Sequence, residues 1–184
     1  MGGHRRAGNP ATELRLLGPL ELSRGGESVA LGGPKPRALL AVLALEPKHV
    51  VSVDRLVEAL WPGETPDTAA HAVQVYVSQL RKTLGAEMLP RRAPGYALEL
   101  EPERVDLHRF GKLASDGHEM LAAGDAAASA TILREALALW RGPALADFLY
   151  EPFAQTEIAR LEELRTVVLE ERIDAWTARQ RARG

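Results

Sequence analysis

At 184 residues with 46% apolar content, the chain has the length for one large or two small domains with a buried core. Its 23 basic and 25 acidic residues leave no bulk charge to single out a polyanionic partner, so local charge must do so. The absence of cysteine excludes disulfides and thiol or cysteine–metal chemistry and fits a reducing cytosol, and no apolar run is long enough to cross a bilayer.

The start, "MGGHRRAGNPAT", lacks the apolar stretch of a signal peptide and is expected to be a loose, disordered leader over residues 1–12. "ELRLLG" and "PLELS" (13–23) and then "SVALGG" (28–33) are short strand candidates punctuated by Gly and Pro. After "GGPKP" the run "RALLAVLALE" is almost wholly apolar, as a central buried helix would be. Asp54 opens a second helix, "RLVEALW", which Pro62-Gly63 stops. Thr65 or Asp67 can cap a third, running to Gly85, and "MLPRRAPGYALELE" reads as a hairpin turning around Arg91–Gly95.

The character changes at "EPERVD" (101–106), which divides the chain into segments 13–103 and 104–184. Beyond it the pattern is all helix: "VDLHRFGKLASDGHEMLAAG" and "DAAASATILREALALW" meet at Gly124-Asp125 as a unit of about 34 residues, the length of a tetratricopeptide repeat. "RGPALADFLYEP" is a loop, and a long helix is expected from Phe153 to Arg179. That helix carries a wide stripe (Ile158, Leu161, Leu164, Val168, Leu169, Ile173, Trp176) which calls for neighbours on more than one side: the preceding helices, the N-terminal domain, a second copy or a partner.

The third helical pattern carries the functional signal. Val73, Val77, Leu80 and Leu84 fall in one narrow arc at 100° per residue, a buried stripe. Opposite lie His71, Val75, Ser78, Gln79 and Lys82, with Gln74 and Arg81 on the flank. Gln can bridge an adenine edge, His can donate to guanine or phosphate, Ser bonds either way, and Val75 can meet a thymine methyl. Arg81 and Lys82 suit phosphates. Taken alone, this face is better explained by a plain solvated amphipathic helix. The local charge favours DNA: residues 71–92 hold four cations (Arg81, Lys82, Arg91, Arg92) against one acid (Glu87), whereas residues 1–103 hold 12 of each sign. A reading helix followed by a basic hairpin is a winged-helix head, with Arg92 placed for the minor groove.

The segments "LRLLGPLEL", "LGGPKPRALLAVLAL", "SVDRLVEALWP", "AVQVYVSQLRKTLG" and "RRAPGYALEL" resemble, in order and spacing, the OmpR-type winged helix of the Streptomyces antibiotic regulatory proteins, the SARP family. "VDLHRF", "ALALWRGPALADF", "EPFAQTEIARLEELR" and "LEERIDA" resemble the start of that family's bacterial transcriptional activation domain. The resemblance implies an α+β fold: a winged helix-turn-helix with a four-stranded N-terminal antiparallel sheet, three helices and a C-terminal wing, followed by an all-α, tetratricopeptide-like domain. It also implies a third helix over about 67–84 in the major groove, with Trp61 and Tyr76 touching the phosphate backbone; packing under the loop explains Trp61 equally well. Lys35 and Arg37 open the first helix, where a phosphate can be favoured, or are plain surface charges.

The family binds direct promoter repeats in double-stranded DNA and touches RNA polymerase, so Glu64 and Asp67 in "WPGETPDTAA" are candidate polymerase contacts, ordinary loop solvation being the alternative. Two copies would sit head-to-tail on the repeats, in the cytoplasm at the nucleoid, with no cofactor. The family's activation domain normally continues through further helices, so the helical domain is expected to be a shortened form; a DNA-binding competitor or a helical protein-interaction adaptor are the other functional readings. Enzyme chemistry is not expected. "HEMLA" lacks the second histidine of a zinc helix, "GGPKPR" lacks the GK[ST] of a phosphate loop, and His4, His49, His71, His108 and His118 show no metal-ligand spacing.

Overall fold

The computed structural model describes residues 12–181, so the leader expected over 1–12 falls outside it except for Thr12, which already belongs to a strand. Strands β1 (Thr12–Arg15), β2 (Glu21–Arg24) and β3 (Glu27–Val29) form an antiparallel sheet in that order, with Leu14 opposite Leu22. The resemblance implied four strands; three pair here, and the free side of β1 is met by Val105, which bridges Leu14 in parallel.

Helix α1 (Pro34–Leu45) begins with proline in its first turn, where the missing N–H costs nothing, and is buried almost continuously from Pro36 to Ala44. Strand β4 (Val51–Ser52) leads into α2 (Val53–Leu60), whose cap is Ser52, accepting the Arg55 N–H at 3.2 Å. Helix α3 (Ala69–Leu84) starts one residue past Asp67-Thr68; Thr68 caps it without a side-chain bond, so neither Thr65 nor Asp67 has the capping role. Strands β5 (Arg91–Arg92) and β6 (Gly95–Tyr96) make the hairpin, and β4 joins them in the order β4-β6-β5.

Helices α4 (Asp106–Ala122) and α5 (Ala126–Leu137) form an antiparallel pair turned by Gly124 at φ 83° and capped by Asp125, which accepts the Ala128 N–H at 2.9 Å. They approach closely at Gly117, where a Cβ would come within 2.3 Å of the Leu133 side chain. Helix α6 (Pro152–Arg181) buries Ala154, Leu161, Val168 and Ala175, but Ile173 and Trp176 remain 60% exposed, so its wide apolar stripe is only half covered.

The two halves share one core, running from Leu14 and Leu39 through Val77 and Leu80 to Phe110, Leu133, Phe148 and Leu161. The seam is polar. Buried Asp106 accepts the N–H groups of Leu16 (2.6 Å) and Leu17 (3.0 Å), while the N–H groups of Arg141 and Leu145 donate to Leu17 and Leu16 carbonyls, both at 2.7 Å. Gly18, at φ 145°, lies so close to Arg141 that a Cβ would sit 3.1 Å from that residue's own. Burial pushes the Asp106 carboxyl above the ordinary aspartate value, and the Leu17 and Leu16 N–H groups and the Arg141 guanidinium at 3.8 Å pull it back. Asp106→Ala strands two buried donors; urea unfolding is expected to show a loss of about 2–5 kcal/mol.

Candidate nucleic-acid interface

On α3, Val73, Val77, Leu80 and Leu84 are buried, and this apolar side fixes the helix's rotation against α1 and α2. His71, Gln74, Val75, Ser78, Gln79 and Lys82 are consequently all exposed, with Val75 at 40%. The five side chains assigned to base reading therefore form one continuous polar row with a single apolar member. No protein group covers it among the described residues.

The wing lies against β4. A Cβ on Gly95 would fall 1.8 Å from the Val51 carbonyl oxygen, so only glycine lets β6 approach this closely, and the Val53 N–H donates to the Pro94 carbonyl at 3.2 Å. Exposed Arg91 makes no ion pair among the described residues, nor does Lys82. Arg92, by contrast, pairs with Glu99 at 2.8 Å, which holds it along the hairpin instead of leaving it free for insertion.

Three other expected phosphate ligands have work inside the fold. Arg37 donates to the Leu20 carbonyl at 3.0 Å and pairs with Asp147, so it faces the seam with the helical half. Lys35 caps the last turn of α2 through the Leu60 carbonyl and lies over the Trp61 ring, 5.3 Å from its centroid. Arg81 turns both Nε (2.9 Å) and an Nη (2.6 Å) onto the Leu89 carbonyl. Periodicity placed Arg81 at the surface, and position at the start of the first helix placed Lys35 and Arg37 there; tertiary carbonyls within their reach claim the charged ends.

Trp61 and Tyr76 stack at 6.2 Å and 21°, both half-buried, joining the end of α2 to the flank of α3. Glu64 and Asp67 are exposed in the intervening loop. Sequence reasoning missed Arg24, whose Nη2 donates to the Thr83 (2.9 Å) and Leu84 (2.8 Å) carbonyls at the end of α3. Nothing local links a strand-end arginine to a helix terminus 59 residues later. Among the described residues no cluster of three His, Asp or Glu is placed to hold a metal ion, and no helix is long and apolar enough to cross a membrane.

Residues 26–98 match the family described as transcriptional regulatory protein, C terminal, and residues 105–184 match the bacterial transcriptional activator domain. The chain is 42% identical over 178 residues to the regulatory protein AfsR of Streptomyces coelicolor, covering 92% of this chain and 18% of that protein. It is 35% identical over 173 residues to the regulatory protein DnrI of Streptomyces peucetius, covering 88% of this chain and 64% of that one. The solved structure of Mycobacterium tuberculosis EmbR in complex with a low affinity phosphopeptide superposes with a TM-score of 0.90 at 34% identity, over 94% of this chain and 47% of that chain.

The chain belongs to the SARP family. This is a family of transcriptional regulators, not of enzymes, and the winged helix-turn-helix followed by a helical activator domain is its architecture. The SARP chain described here spans less than two thirds of each of these relatives. Its wing depends on the Gly95 contact: Gly95→Ala is expected to lower unfolding stability by about 1–3 kcal/mol and to speed hydrogen exchange at the Val53 amide, as overpacking lifts β6 from β4.

Proposed function

We propose that this SARP chain binds double-stranded promoter DNA with α3 in the major groove and the β5–β6 wing beside the minor groove. The observation that carries this reading is the continuous exposed row His71, Gln74, Val75, Ser78, Gln79 and Lys82, with exposed Arg91, unpaired among the described residues, on the wing. Amide and hydroxyl groups read base edges; Lys82 and Arg91 supply phosphate contacts, and the partly exposed Trp61 and Tyr76 edges can add to them. Arg92 joins once Glu99 releases it. Domain limits of 13–103 for DNA binding and 104–184 for activation go with this reading.

By the family's habit, the target is a set of direct repeats near the promoter core of an antibiotic or other secondary-metabolite gene cluster. Two copies lie head-to-tail on one DNA face, and Glu64 and Asp67 meet RNA polymerase. The chain then works in the cytoplasm, at the nucleoid.

Selection of bound duplexes from a random pool, followed by mobility-shift titration across salt, tests this. A head making about four to six phosphate contacts gives a slope of log K against log salt of about −4 to −5. Salt-indifferent binding, or no duplex recovered, sinks it. Lys82→Ala is expected to weaken all sequences alike and to flatten the slope by about 1, whereas Gln79→Ala relaxes preference at one base position by about 1–3 kcal/mol.

The bare Ile173 and Trp176 favour a second reading, an adaptor that docks partners through its helices. It predicts partner capture unchanged when Lys82, Arg91 and Arg92 are neutralised together. A competitor that occupies promoters without raising transcription is told apart from an activator by a reporter assay.

A further inference from the structure

We infer that Arg81 is a positioning residue that holds the wing at a set distance from the reading helix and is not itself a DNA contact. The inference rests on the DNA-binding reading above and adds to it how the two grooves are engaged together.

Helix α3 is left through Gly85 at φ 101°, and only a short turn at Ala86–Met88 and the residues up to Pro90 connect it to β5. The strands β5 and β6 are two residues each; β4 holds β6 from one side, while β5 lies at the edge of this small sheet and pairs with β6 alone. A ligand with two grooves needs the helix and wing in fixed register, because misplacing either forfeits its contacts.

Arg81 is the side chain that spans this hinge. Its Nε and Nη2 both point at the Leu89 carbonyl, just before β5, and its guanidinium lies 5.7 Å from the centroid of the buried Tyr96 ring in β6. One residue of α3 thus grips the entry of one wing strand and the ring of the other. The Nε–Nη2 edge of the guanidinium is already used on the Leu89 carbonyl, and the residue is only half-exposed. At the other side of the same terminus, Arg24 takes the Thr83 and Leu84 carbonyls, so the end of α3 from which the wing springs is itself held to β2.

The test is a double-mutant cycle on a duplex recovered from the random pool. Arg81→Lys keeps the charge but loses the planar fork, so a phosphate contact would survive it and a clamp would not. In the otherwise native chain Arg91→Ala is expected to weaken binding about tenfold; in the Arg81→Lys background the same change is expected to cost less than about twofold, since the wing no longer reaches its groove. Gln79→Ala should cost the same in both backgrounds. Arg81→Lys alone should flatten the salt slope by about 1 although no charge is lost, because the Arg91 contact goes with the wing. In the free protein, amide exchange at Ala97, which donates to the Pro90 carbonyl, should quicken while Val77 stays protected.

Arg81→Met, which keeps the stem over Tyr96 without the donors, gives the same cycle if the lysine variant does not fold. Equal costs of Arg91→Ala in both backgrounds, or an unchanged slope in Arg81→Lys, overturn the inference while leaving DNA binding intact. Failure of the native chain to bind any duplex overturns the DNA reading and this inference with it.

Discussion

Two backbone N–H groups at the end of β1, those of Leu16 and Leu17, have to find acceptors in a buried place, and Asp106 supplies both. An unmet buried donor costs about 1–3 kcal/mol, more than a single exposed ion pair usually contributes, so this carboxylate ties the start of α4 to the first strand. The loop before α6 completes the seam from the other side, through the Arg141 and Leu145 N–H groups and the Arg141 guanidinium on the Pro19 carbonyl at 2.9 Å. Around these bonds the apolar residues of both halves close into one core. The N-terminal sheet is therefore shared between the two halves.

That sharing has consequences for α3. Strand β2 lies beside β1 and ends in Arg24, whose guanidinium holds the last carbonyls of α3. A chain of hydrogen-bonded groups thus runs from the helical half, through the sheet, to the terminus from which the wing departs. Arg37, set between the Leu20 carbonyl and Asp147, adds a second tie at the start of α1. Helical half and head are built to hold one mutual orientation.

The same structure divides the cations by duty. Arg24, Lys35, Arg37 and Arg81 are spent on backbone carbonyls, where a charged donor satisfies a helix end or loop and brings its aliphatic stem into the packing. Lys82 and Arg91 stay in water. The face of α3 between them is made of amide, hydroxyl and imidazole groups with one valine, so it offers a hydrogen-bond pattern more than a charge.

Periodicity was enough to lay out α3. Its 3.6-residue stripe of valine and leucine names the buried side, and His71, Gln74, Val75, Ser78, Gln79 and Lys82 follow as the outward row because a helix has only one way to bury that stripe. The apolar α1, the glycine-turned pair α4 and α5, and the hairpin at Arg91–Tyr96 were legible for the same local reasons of pattern and turn chemistry. What tertiary structure alone decided was every contact made across a long separation: β4 completing the wing sheet, Val105 in place of a fourth strand, Asp106 under the Leu16 and Leu17 amides, and the inward turn of Arg24, Arg37 and Arg81. A long charged side chain carries no sign in the local sequence of which way it will point. Its direction is set by whichever unpaired carbonyl the folded chain brings within reach.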